Sequence, residues 1–177
     1  FVSPSHFLND RYVEWGLPQK KFRMIENGLD IEAIAPARPL PRRVGRRNRF
    51  AYFGQLNEFK GARVLLDAVT RVPQEVWGED TVVNIFGGNL ELQPEGFQAE
   101  FKRLLTQAGR RVRFHGPYRS PELPTLMREI DWVVMPSTWW ENSPLVIQEA
   151  FAHGRPLITS DIGGMAVFGK AVFDVVG

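Results

Sequence analysis

The chain has 177 residues, of which 44% are hydrophobic and 24% charged, with 22 Lys and Arg against 20 Asp and Glu for a formal net charge of +2. That length and composition suit one soluble domain with a full core. The absence of cysteine excludes disulfides and thiolate metal sites, and three scattered histidines (His6, His115, His153) suggest no metal cluster.

The chain opens on Phe1-Val2-Ser3-Pro4, which lacks the basic-then-apolar pattern of a signal peptide. No stretch approaches the roughly 18 to 20 apolar residues that a membrane helix needs, so the expected location is cytoplasmic, with peripheral attachment at the inner membrane face left open. An amphipathic stretch from Pro4 to Trp15 is followed by Asn27-Gly28-Leu29-Asp30, a turn signature. Next come six arginines (Arg38, Arg42, Arg43, Arg46, Arg47, Arg49) with no acid among them. Such a run can attract nucleic acid, acidic lipid or an anionic substrate, but beside Pro36, Pro39 and Pro41 it reads as a solvated linker. No nucleic-acid partner is expected, and residues 1–47 read as an interdomain connection.

From Arg49 onward, short β-branched and aromatic runs alternate with longer helical patterns. Strands are expected at Arg49–Phe53, Thr81–Phe86, Val112–His115, Trp132–Met135, Pro156–Thr159 and Ala171–Val175. Helices are expected at Gly61–Arg71, Gly96–Gln107, Pro121–Arg128 and Pro144–His153. Leu65, Leu66, Val69 and Val72 form one apolar stripe that belongs to the core. The rhythm predicts an α/β fold with a doubly wound, parallel, Rossmann-like sheet over residues 48–177. Its ligand crevice lies at the carboxyl ends of the strands.

The loop after the fourth expected strand is the most informative: Pro136-Ser137-Thr138-Trp139-Trp140-Glu141-Asn142-Ser143-Pro144-Leu145, running on to Glu149-Ala150. Ser143 suits an N-cap and Pro144 the first helical position, which would aim free N–H groups at an anion such as a diphosphate. Glu141 and Glu149 are eight positions apart, hence at most roughly 12 Å at helical rise. Carboxylates there would accept hydrogen bonds from hydroxyls at the two ends of a sugar nucleotide.

Glu-x7-Glu on a strand–loop–helix, followed by Ala150-Phe151-Ala152-His153-Gly154-Arg155-Pro156 and Ser160-Asp161-Ile162-Gly163-Gly164, resembles the large retaining family of GT-B glycosyltransferases (group 1). Further matches are Phe53-Gly54-Gln55-Leu56-Asn57-Glu58-Phe59-Lys60-Gly61, Phe86-Gly87-Gly88, Val112-Arg113-Phe114-His115-Gly116 before Tyr118-Arg119, and Asn27-Gly28-Leu29-Asp30. The resemblance implies the donor-binding, C-terminal half of a hexosyltransferase of polysaccharide biosynthesis, separated from its own N-terminal acceptor domain. It implies a UDP-, GDP- or ADP-sugar as donor, no cofactor, no metal, and a saccharide or lipid-linked glycan as acceptor.

By the same resemblance Glu141 contacts the transferred sugar and Glu149 the ribose, while Lys60 meets the diphosphate. Asn142, Ser143, Pro144 and Leu145 border the sugar and phosphates; Gly54 and Gly87 line the strand ends; Tyr118 and Arg119 hold the base through the main chain. Glu141 and Lys60 are thus the expected catalytic pair. Gln55 stands where the family usually has arginine, removing one charge and a bidentate fork.

Competing motifs are weaker. Gly164-x4-Gly169-Lys170 nearly spells a phosphate loop, but Ala171 stands where a magnesium-binding hydroxyl is needed. No Gly-x-Gly-x-x-Gly follows an expected strand, and no Asp-x-Asp occurs. Trp139 and Trp140 read as core or interdomain seam rather than as a stacking platform. Two alternatives stay open: a degenerate, non-catalytic donor-binding module, favoured by Gln55, and a GT-B-like sugar-nucleotide epimerase.

Overall fold

In the computed structural model, which describes residues 1–29 and 47–166, the run Arg49–Gln55 forms the central strand of the molecule. In chain order the elements are β1 (Val2–Ser3), α1 (His6–Glu14), β2 (Arg23–Met24), β3 (Arg49–Gln55), α2 (Ala62–Arg71), β4 (Val82–Gly88) and α3 (Glu95–Ala108). They continue with β5 (Val112–Gly116), α4 (Leu123–Arg128), β6 (Trp132–Met135), α5 (Leu145–Ala152) and β7 (Leu157–Thr159). The expected strand Ala171–Val175, Gly169-Lys170, and the arginines and prolines of residues 30–46 lie outside the described residues.

Five strands form one parallel sheet in the order β5-β4-β3-β6-β7. The chain moves outward from β3 to β5, then returns to the other side of β3 for β6 and β7. The direction therefore reverses between β3 and β6, where a doubly wound sheet opens a crevice at its carboxyl edge.

Strand periodicity divides β3 between two cores. Tyr52 joins Val83, Ile85, Leu66, Val69, Phe97 and Phe101 on one face, whereas Ala51 and Phe53 join Phe86, Met127, Ile130, Val133 and Ala150 on the other. Helices match this demand with apolar residues one turn apart: Ala62, Leu66 and Val69 on α2, and Phe97, Phe101, Leu104 and Ala108 on α3. Val72 of the expected stripe is the residue that closes α2. The expected helix at Pro121 begins as a 3-10 turn, Ser120–Glu122, before α4.

The amphipathic opening is α1, whose N-cap Ser5 accepts the amide of Leu8. It joins two short parallel strands, β1 and β2, that were not legible from sequence.

Candidate functional site

The loops leaving β3 and β6 meet at the reversal point. Asn57 Oδ1 accepts the amides of Phe59 (3.0 Å) and Lys60 (2.9 Å), folding the β3 loop back on itself. The Phe59 carbonyl then accepts the amide of Thr138 at 2.8 Å, joining that loop to the β6 loop. Gly61 makes the approach possible: its φ is +75°, and a Cβ there would sit 1.8 Å from the Pro136 carbonyl oxygen. From the far side the Gly164 amide donates to the Glu141 carbonyl at 2.6 Å, and a Cβ on Gly164 would lie 2.1 Å from the Asn142 carbonyl oxygen.

Glycines also shape the floor. Gly54 and Gly87 are paired across β3 and β4, and a Cβ on Gly87 would meet the Gly54 carbonyl oxygen at 2.8 Å. Gln55 closes β3 as an exposed side chain.

This scaffold brings Lys60 and Glu141 together across 81 positions of sequence. Lys60 Nζ donates to both carboxylate oxygens, at 2.7 and 2.9 Å, and Ser137 Oγ donates to Oε1 at 2.9 Å. Ser137 is fully buried at the end of β6. Sequence reasoning assigned Lys60 and Glu141 to different parts of a ligand and overlooked Ser137; the structure binds all three into one cluster. Beneath them, buried Tyr52 donates to the Gln55 carbonyl at 2.7 Å. Burial, then the charge of Glu141, raises its pKa far above the ordinary phenol value, so it remains a donor.

Glu149 lies on α5, half-buried, and burial raises its carboxyl pKa. Tyr118 is pushed up to about 12, first by burial and then by the charge of Glu149. The Tyr118 ring stands edge-on to Phe53 of β3, 5.4 Å between centroids. Of the two acids of the Glu-x7-Glu segment, Glu141 is thus bonded to Lys60 of the β3 loop, and Glu149 sits half-buried on α5. Arg119 is tied to its own turn, its amide donating to Glu122 Oε2 at 2.7 Å and its guanidinium 3.5 Å from Oε1.

The helix start differs from expectation. Helix α5 begins at Leu145, and Pro144, with ψ 121°, holds the cap position without any side-chain hydrogen bond. Ser143 consequently caps nothing, and its buried Oγ has no partner. A proline offers neither an N–H nor a capping oxygen, so the amides of Leu145 and Val146, which precede the first intrahelical donor, Ile147, are not used by the helix. Leu145 is exposed at this first turn.

Of the two places expected for the tryptophans the core is excluded, since Trp139 and Trp140 are 60% and 55% exposed. Trp139 leans on Phe59, and Trp140 on Phe7 and Arg11 of α1. His115 bonds Asn84 at 2.9 Å and stacks on Phe86, and burial followed by the charge of Arg113 lowers its pKa. His153, buried, closes α5.

A cavity of about 1030 Å³ runs from Asn48, Arg49, Asp80 and Thr81, at the amino ends of β3 and β4, along the sheet as far as Phe86 and His115. Among the described residues, no group of His, Asp and Glu could hold a metal ion, and no helix is long and apolar enough to cross a membrane.

Comparison with known proteins agrees with this fold. Residues 47–172 match the family model described as "Glycosyl transferases group 1". The D-inositol 3-phosphate glycosyltransferase of Corynebacterium glutamicum (strain R) is 28% identical over 94% of this chain, and the glycogen synthase of Mycobacterium tuberculosis (strain H37Rv) 32% over 98%. The chain spans only 41% and 39% of those relatives. Among solved structures, Anabaena Alr3699/HepE in complex with UDP superimposes with a TM-score of 0.71 and 26% identity, over 93% of this chain and 45% of that one. The same protein with UDP and glucose gives a TM-score of 0.71 at 25% identity, again over 93% and 45%. The chain belongs to the group 1 glycosyltransferases and has the α/β fold of the C-terminal half of a GT-B enzyme.

Proposed function

We propose that this chain binds the nucleoside-diphosphate sugar of a retaining glycosyltransferase, and that the whole enzyme passes the glycosyl group to a saccharide or lipid-linked glycan. The observation that carries the reading is the position of Lys60 and Glu141, paired at the reversal point of the sheet, with Glu149 eight residues further on, half-buried on α5. UDP and glucose in the similar Anabaena structure support the same donor class.

In this reading the bond between the sugar carbon and the diphosphate breaks toward the diphosphate. The ammonium of Lys60 and the open amides at the start of α5 stabilise the charge that develops. Glu141, aimed by Ser137, accepts from the sugar hydroxyls, and Glu149 accepts from the ribose. The acceptor, and any base that assists it, would come from the N-terminal half. Calorimetry with UDP-, GDP- and ADP-sugars, followed by the anomeric configuration of the product by NMR, tests the proposal. No heat with any of the three at millimolar concentration, or an inverted product, would overturn it.

Glu149→Gln separates binding from stability. The folded pKa of Glu149 is raised, so above that pKa its charged form costs stability, and removing the charge leaves the fold at least as stable at neutral pH. The same change removes a charged acceptor from the ribose and should weaken nucleotide binding by about 1 to 3 kcal/mol. Thermal melting read beside calorimetry checks both signs, and equal affinity would remove Glu149 from the site.

A second reading is favoured by Gln55, which leaves the end of β3 without the cation that the family usually places there. It is a donor-binding module without transfer activity. Product analysis separates it from a transferase, since it binds nucleotide and releases no glycoside; an epimerase would instead return an isomerised sugar nucleotide.

A further inference from the structure

The side chain beside Glu141 is held by a residue outside the large sheet. Ser5 is buried, and its Oγ lies 2.5 Å from Asn142 Oδ1, across 137 positions. The same hydroxyl accepts the amide of Leu8 at 3.2 Å.

These contacts fix which way the Asn142 amide points. A serine hydroxyl has one proton, and here the Asn142 oxygen takes it. With the amide reversed, Oγ would face two donors and its own proton would be left in a buried position without an acceptor. The neighbouring backbone is held on both sides. Gly164 donates to the Glu141 carbonyl, and Asn27 Nδ2 donates to the Ser143 carbonyl at 3.0 Å. Trp140, one residue before Glu141, lies against Phe7 and Arg11 of α1. What remains free is rotation of the Asn142 side chain, and Ser5 removes it.

We propose that Ser5 is a positioning residue for Asn142, holding its Oδ1 so that the unpartnered Nδ2 donates to an oxygen of the glycosyl diphosphate beside Glu141. This rests on the donor reading given above. The recipient is either a phosphoryl oxygen or a sugar hydroxyl, and both are acceptors of the same chemistry.

The test is a double-mutant cycle in the full-length protein, with calorimetry against UDP-, ADP- and GDP-glucose and against the three nucleoside diphosphates. Ser5→Ala and Asn142→Ala should each weaken sugar-nucleotide binding about three- to tenfold. The double variant should be no weaker than Asn142→Ala alone, because Ser5 acts only through Asn142. Ser5→Ala also removes the cap of α1, and a purely structural effect of that kind would add to the loss in the double variant instead. Ser5→Thr keeps the hydroxyl and should restore affinity. A loss confined to the sugar nucleotides assigns the oxygen to the sugar, and an equal loss with the diphosphates assigns it to a phosphate. Unchanged binding in Ser5→Ala beside a defect in Glu149→Gln, or additive losses in the cycle, overturns the proposal alone. No binding by the unsubstituted protein overturns the donor reading, and this inference with it.

Discussion

Replacing Lys60 by alanine is expected to raise the dissociation constant for the sugar nucleotide on the order of 100-fold, equivalent to about 2 to 4 kcal/mol. Two losses combine in that figure. The diphosphate loses its point charge, and Glu141 loses the cation that grips both of its oxygens. Among the described residues Ser137 would then be its one remaining hydrogen-bond partner, so a half-buried carboxylate would stand close to incoming phosphate oxygens with its charge uncompensated. Turnover should fall by at least about 100-fold as well, because stabilisation of the leaving diphosphate is lost where it is strongest, in the transition state. Calorimetry and single-turnover transfer assays read the two quantities separately. A Lys60→Ala protein with native affinity and turnover would show that the ion pair is architectural. Glu58, exposed on the same loop and paired with Arg63 at 3.2 Å, is the control: Glu58→Ala should leave donor affinity unchanged.

The second large effect is on folding. Gly61→Ala should lower the stability of the domain by at least about 3 kcal/mol, and its unfolding midpoint on the order of 10 °C. A left-handed backbone alone costs an alanine roughly 1 to 2 kcal/mol. The larger part comes from the Pro136 carbonyl oxygen, which the new methyl group would overlap at 1.8 Å. That neighbour is backbone at the end of β6 and cannot swing aside, so the β3 and β6 loops must part. The bond between the Phe59 carbonyl and the Thr138 amide should break with them, and with it the approach of Lys60 to Glu141. Gly96→Ala, with open space around its Cβ near the start of α3, is the matched control and should be neutral or mildly stabilising. Differential scanning calorimetry of both variants decides the point, and equal midpoints would refute the role given to Gly61.

The elements of the sheet were legible because their signals are local. Trp132–Met135 falls where expected, and β3, β4 and β5 differ from expectation by a residue or two at their ends, where hydrogen bonding decides the boundary. The parallel, doubly wound order was legible too, since it follows from the alternation of strands and helices. What the sequence could not express was tertiary pairing. Nothing in the spacing of Lys60 and Glu141 says that they touch, because their contact depends on β3 and β6 being neighbours. Ser143 has the chemistry of an N-cap, but extended Pro144 takes the cap position. Ser137 looked like a loop residue, and its one signal, a hydroxyl immediately after a buried strand, is common. Ser5 and Asn27 lay in a segment read as connection, and only three-dimensional proximity reveals what they hold.

The fastening of α1 to the β6 loop bears on how this domain can be transplanted. A chimaera joined at Arg47, where the family match begins, would keep the Rossmann-like sheet intact and discard Ser5, Phe7, Arg11 and Asn27. The grafted loop would then rely on whatever the host protein laid against Trp140 and Asn142. A splice placed ahead of Ser5 carries those partners along, so a graft meant to keep this loop as it stands has to begin before α1 rather than at the edge of the family match.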